Sequence, residues 1–473
     1  MRQARANPLG GAATWENAWM QAVRRRFDYL FGSTQGLALV AIGMIALVTA
    51  VWGTLSGPLT EWGVREVTVR LLGMRLVEAE REGRIILLYH SIAMAVVAIE
   101  VYFITQLLRL PRHSQTTINA TVTLGYLTTM VFGLWFGYFG HNFIFHGVYL
   151  FGLSLMLFGG LLLAVALWPW RPNARQTDLA YARGPGQIDL ERLAFFAMAV
   201  ATLGSSIFGA VAGATYGNGF ETFLAEDIVR EPHKSVFQLS VIGHLHIMLT
   251  LIGIAITLIV GRWLDFKGRL HKIAMPLMIA GTVVISLGAW AVVPYETVAH
   301  YIIYAGAVLA MLAALMLVIF AWGKLIRGRL DEQGIHRASF WQGLKALVHD
   351  PLKFGATWQM VFMNFTVSGV GIFMAVKLDE IFRVWPWREE RIVLTGHWHI
   401  LSGLIATIIL LYFADLSGLR GGVRRAFGWA VILGSDLAFG AVTAFEMKRL
   451  FVGEAEQQPL VNLTMILADA GLA

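Results

Sequence analysis

The chain has 473 residues, 57% of them apolar and 14% charged, with no cysteine and a formal charge of +7. That charged share is well below the roughly one quarter of an ordinary globular domain, so the composition excludes a soluble enzyme and indicates a polytopic membrane protein. Without thiols, disulfides, Cys-ligated iron–sulfur clusters and Cys-attached c-type haem are excluded within this chain. The basic balance fits either nucleic acid or cytoplasmic loops, and the placement of the charges decides between them.

The N-terminus carries no signal-peptide pattern: the first apolar run follows Arg24-Arg25-Arg26 and lacks a small-residue cleavage site. Residues 1–35 read as a cytoplasmic segment, and the first span is expected to stay in the mature protein. Runs near the ~20 apolar residues needed to cross a hydrocarbon core number about eleven. They extend roughly over Leu37 to Ser56, Ile85 to Leu108, Ala120 to Phe139, Gly147 to Trp168, Leu193 to Tyr216, Val236 to Trp263, Ile273 to Val293, His300 to Trp322, Trp358 to Val376, Ile392 to Phe413 and Phe427 to Phe445. The expected fold is therefore an all-α membrane bundle of about 11–12 helices, with residues 36–446 forming one transmembrane domain. Residues 447–473 form a tail or short terminal helix, and Leu460 to Ala473 is either an amphipathic end or part of a twelfth element. The longest polar interval, Lys324 to Gly355, is expected to hold a short cytoplasmic helix.

Basic residues cluster after every even-numbered span: Arg109 and Arg112, Arg171 and Arg175, Arg262 to Lys272, Lys324 to Arg329, then Arg420, Arg424 and Arg425. These loops are expected on the cytoplasmic side. The opposite side carries Glu61 to Arg84, the acidic stretch Glu221 to Glu231, and Lys377 to Arg391. The pattern accounts for the charge through membrane topology, with no nucleic-acid partner, and points to a multi-pass protein of a bacterial-type cytoplasmic membrane.

Given that topology, eight histidines fall toward the outer side. His90 enters the second span, His244 and His246 the sixth, and His397 and His399 the tenth; His300 opens the eighth, while His141 and His146 bracket the turn between the third and fourth. A helix turns about 100° per residue, so the two histidines of an HxH pair point to nearly opposite sides. Ionisable side chains inside a membrane are costly and mark function. Neutral imidazole binds iron and copper, and an axial imidazole pair from facing helices can hold a b-type haem without covalent attachment.

His90 in Leu-Leu-Tyr-His-Ser-Ile-Ala-Met, His244 in the sixth span, the glycine-rich Ser368 to Met374, and Thr395-Gly396-His397-Trp398-His399 together resemble the catalytic subunit of the haem-copper oxidase superfamily. The likeness is greatest to the nitric oxide reductase large subunit and to oxidases with b-type haem. It implies that His90 and His399 ligate a low-spin haem, that His397 is the proximal ligand of a second haem, and that His244 belongs to a second metal site. The resemblance departs in the seventh span. Leu287-Gly288-Ala289-Trp290-Ala291-Val292-Val293 lacks the histidine pair that should complete that metal site.

Three outcomes follow. His244, His246 and His300 can rebuild a metal site for copper or non-haem iron, giving an active terminal reductase of nitric oxide or oxygen. Alternatively, with no second metal, His244 or His246 can approach the iron of the second haem directly and close its last position, leaving an electron carrier. In the third, one haem rather than two is bound. The reading carried forward is electron transfer through His-ligated haem b in a respiratory chain, as an oxidoreductase or a subunit of one. Its redox partner would be a cytochrome c-type or other subunit, or quinol. Glu100, Asp436 and Glu296 are candidates for proton or quinone chemistry. A metal or proton transporter is the alternative from another class.

Overall fold

The computed structural model describes residues 10–56, 58–74, 81–171, 174–176, 178, 180–181, 187–215, 236–382, 384–453 and 457–472. The acidic stretch 221–231 and His233 lie outside them. Apart from one two-residue ladder, the described residues form a helical bundle, because a backbone surrounded by hydrocarbon must satisfy its own polar groups. Among the described residues ten helices are long and apolar enough to cross a membrane.

In chain order the helices are α1 (Gly10–Gly32), α2 (Thr34–Ser56), the short α3 (Pro58–Glu61) and α4 (Val64–Leu71), α5 (Arg81–Leu107), α6 (Arg112–Phe139), α7 (Phe143–Leu167) and α8 (Leu190–Thr215). They continue with α9 (Val236–Trp263), α10 (Arg269–Glu332), α11 (Phe340–Leu347), α12 (Pro351–Val361), α13 (Ser368–Val376), α14 (Trp387–Leu416), α15 (Gly421–Glu446), α16 (Lys448–Phe451) and α17 (Gln457–Leu472). A two-residue antiparallel ladder pairs Arg175–Gln176 with Gln187–Ile188 between α7 and α8.

The 64-residue α10 is two arms. Pro294 has no amide hydrogen to donate, the next residue Tyr295 leaves helical geometry at φ −146° and ψ 60°, and the chain folds back. Small residues let the arms close: a Cβ on Gly281 would lie 2.9 Å from the Ala310 nitrogen, and one on Gly288 would lie 3.0 Å from the Ile303 nitrogen. Counting both arms, eleven apolar helical segments stand where the sequence places its spans. The short helix of the polar interval is α11, closed by a capping box between Ser339 and Gln342. The terminal element is α17, which lies along α15 with Gly471 against Gly434 and Ala438.

One end of the bundle is fixed by ion pairs. Arg262 pairs with Glu191 at 3.0 Å, and Asp265 receives Lys267 at 2.7 Å, Lys324 at 3.2 Å and the Tyr181 hydroxyl. Arg424 bridges Asp350, at 2.9 Å, and Asp415, which also accepts the Trp263 indole N–H at 2.7 Å. The Tyr412 ring meets Phe103 at 4.7 Å and Trp263 at 5.0 Å. This contact sets the register of α5, α9 and α14, the three helices that carry the sequence-predicted histidines.

Candidate functional site

Register places the histidines at one level. Counting back from the Phe103–Tyr412 contact, His90 and His399 each lie thirteen residues earlier on helices running the same way, or ~20 Å at 1.5 Å per residue. The Tyr89 ring accordingly meets His399 edge-on at 5.9 Å. From α9, His246 meets Trp398 at 5.3 Å, between the two histidines of α14. Five histidines thus share one layer at the end opposite the ion pairs.

Within that layer the ring facing His90 is His244, with centroids 6.4 Å apart and planes tilted by 36°. Each has its Nδ1 engaged elsewhere. His90 Nδ1 contacts the Tyr149 hydroxyl of α7 at 3.3 Å, and His244 Nδ1 donates to the Ser205 carbonyl of α8 at 2.8 Å. The tautomer that donates from Nδ1 leaves Nε2 its lone pair, which is the arrangement of a metal-ligating imidazole oriented by an outer partner.

Helix α8 forms the socket for His244. Gly209 leaves no room for a Cβ, which would overlap the imidazole, and a Cβ on Gly204 would lie 2.8 Å from the Trp290 ring. Trp290 donates its indole N–H to the Ser205 hydroxyl at 3.3 Å. The seventh span, which lacks the expected histidine pair, therefore supplies an indole that braces the residue holding His244. Tyr149, Ser205 and Trp290 were not legible as site residues, because a Tyr, a Ser and a Trp in apolar helices are ordinary residue types and only packing brings them here.

On α14, His397 lies beside α13, where a Cβ on Gly371 would stand 3.6 Å from its ring. Gly396 abuts the Glu446 carboxylate. Glu446 is 4% exposed, and its Oε1 has no hydrogen-bond partner among the described residues. Its sequence position, closing an apolar span just before the basic pair Lys448-Arg449, reads only as a helix end.

The remaining candidates lie apart. His300 is exposed and stacks on Tyr304 of its own helix at 6.4 Å, and Glu296 borders the α10 kink. Among the described residues no group of three or more His, Asp or Glu side chains is gathered to hold a metal ion. Asp436 accepts the Trp358 indole N–H at 2.9 Å and the Gln359 amide at 3.4 Å, a capped carboxylate joining α12 to α15. Glu100 is 3% exposed, and its Oε1 has no hydrogen-bond partner among the described residues. Toward the ion-paired end, α5 and α6 carry a ladder the sequence did not reveal: Tyr102 with Thr123 at 2.5 Å, and Thr105 with Asn119 at 3.2 Å.

Comparison with protein-family models, curated proteins and solved structures returns no match. The functional reading therefore rests on the histidine layer itself.

Proposed function

We propose that this chain is a b-type haem protein of a respiratory membrane, related in plan to the haem-copper oxidase and nitric oxide reductase catalytic subunits, and that it transfers electrons without reducing a gas. The observation that carries the reading is the His90–His244 pair. Two imidazoles binding opposite sides of one metal through Nε2 would stand with ring centres about 6.2 Å apart, given metal–nitrogen bonds of about 2.0 Å and a ring radius of about 1.1 Å. The observed separation is 6.4 Å. Donor type, spacing and engaged Nδ1 atoms all fit an axial pair.

A haem held there would supply one-electron redox chemistry. The chain's own contribution is orientation. Tyr149 and Ser205 fix the two rings, accepting from Nδ1 raises the basicity of Nε2, and Trp290 holds Ser205 in place. The sequence resemblance pairs His90 with His399; the ring separation favours His244 as the partner of His90. An iron held by both His90 and His244 would keep no open position, whereas gas reduction needs one. In the seventh span, where the resemblance requires two metal ligands, Trp290 instead donates its indole N–H to the Ser205 hydroxyl, which supports electron transfer over terminal reduction. Quinol or a cytochrome c-type subunit would be the redox partner, and the charge pattern of the loops supports a haem layer toward the outer side.

The visible absorption spectrum of the purified protein tests this. A Soret band that sharpens with resolved visible bands on dithionite reduction, and that carbon monoxide leaves unchanged, is expected. No Soret band contradicts the haem reading, and a carbon monoxide shift replaces electron transfer by the reductase reading.

A further inference from the structure

We propose that His141 and His146 form a separate binding site for a divalent transition-metal ion of the zinc class, distinct from the haem layer. The chain leaves α6 at Phe139 and turns through Gly140, whose φ of 96° favours glycine. Asn142 then caps α7, its Oδ1 accepting from the Ile144 and Phe145 amides at 3.0 and 3.1 Å while its Nδ2 donates to the Leu72 carbonyl at 3.3 Å. This tied turn carries His146, in the first turn of α7, back onto His141.

The two rings meet at 83°, with His141 Nε2 and His146 Nδ1 3.2 Å apart. Two nitrogens in a tetrahedral zinc shell, each about 2.0–2.1 Å from the metal, lie about 3.3–3.4 Å from each other. The pair thus already stands near a zinc bite. Phe136 stacks on His141 at 6.1 Å and meets His146 edge-on at 5.7 Å, while Phe143 meets His141 edge-on at 5.9 Å. His141 is 8% exposed. With the rings framed in this way, little side-chain freedom is lost on binding. In the neutral pair one ring N–H donates to the other ring's lone pair. On binding, that proton moves to the other nitrogen of its own imidazole, both facing lone pairs reach the metal, and water completes the shell. Two nitrogen donors select zinc-class ions over magnesium or calcium, which take oxygen ligands.

The test uses the full chain in detergent micelles, dialysed against Zn2+ and then against metal-free buffer, with retained zinc measured by elemental analysis. The native protein is expected to retain zinc, His141→Ala and His146→Ala to fall to background, and His141→Cys to retain it through a thiolate. The double variant His90→Ala/His244→Ala is expected to keep it, which separates this site from the haem reading. Unchanged elution in size-exclusion chromatography shows that each variant is folded. No zinc on the native protein, zinc retained by both single alanine variants, or zinc lost only with the His90/His244 pair would overturn the proposal.

Discussion

The two ends of the bundle use polar side chains differently. At the basic end the cations meet carboxylates: Arg262 meets Glu191, Lys267 and Lys324 share Asp265, and Arg424 spans Asp350 and Asp415. At the opposite end imidazoles, hydroxyls and an indole stand beside the Glu446 carboxylate and the Arg449–Glu389 ion pair, and His90 and His244 each engage Nδ1 with a neutral partner. Charges that compensate each other fix helix positions. At the other end His90 and His244 are oriented by neutral outer partners, and the proposed site lies there.

The comparison breaks most sharply at Gly209. Its replacement by Ala puts a Cβ into the His244 imidazole, so the ring must leave its socket. The Gly209→Ala protein should keep haem on His90, lose its sixth ligand and gain carbon monoxide binding in the reduced spectrum. Retained insensitivity to carbon monoxide would show that His244 is not an axial ligand.

Arg424→Ala should act at the other end alone. It leaves Asp350 and Asp415, which are 13% and 24% exposed, without their shared cation, and should cost about 2 kcal/mol, below a fully buried pair because the groups are partly solvated. Thermal unfolding should shift down while the visible spectrum stays native.

The smallest effect is expected at Asp265. Burial pushes its pKa up, but hydrogen bonds from Lys267, Tyr181 and Lys324 outweigh this and bring it down to about 2. A carboxyl depressed in the folded state contributes stability that is complete above its ordinary pKa of 3.8 and is lost as pH falls toward 2. Native protein and Asp265→Asn should therefore differ slightly in unfolding temperature at pH 6, and the gap should close toward pH 2. A gap that persists at pH 2 would remove the carboxylate from the account.

Much of this architecture was legible because hydrocarbon imposes long apolar runs, and histidines in such runs stand out against a cheap background. Even the folded-back α10 could be read as two spans, since Pro294, Glu296 and His300 interrupt its apolar run. Rotation about each helix axis was not legible. One turn of register is visible in a sequence, but which ring faces which depends on packing, so His90 was matched with His399 from the resemblance while the structure sets it facing His244. The carboxylate partners of the basic loops were not legible, because Asp265, Asp350 and Asp415 come from different loops and helix ends. Asp436 shows the converse: an acid inside a span suggested proton chemistry, and the structure gives it Trp358 and Gln359 as hydrogen-bond donors.

The most direct test of the histidine layer is electron paramagnetic resonance of the oxidised protein, comparing native, His90→Ala and His246→Ala forms. A low-spin ferric signal with bis-imidazole character, lost in His90→Ala and kept in His246→Ala, is predicted. Native protein with no low-spin ferric signal, or a signal untouched by His90→Ala, would contradict the assignment of His90 as an axial ligand.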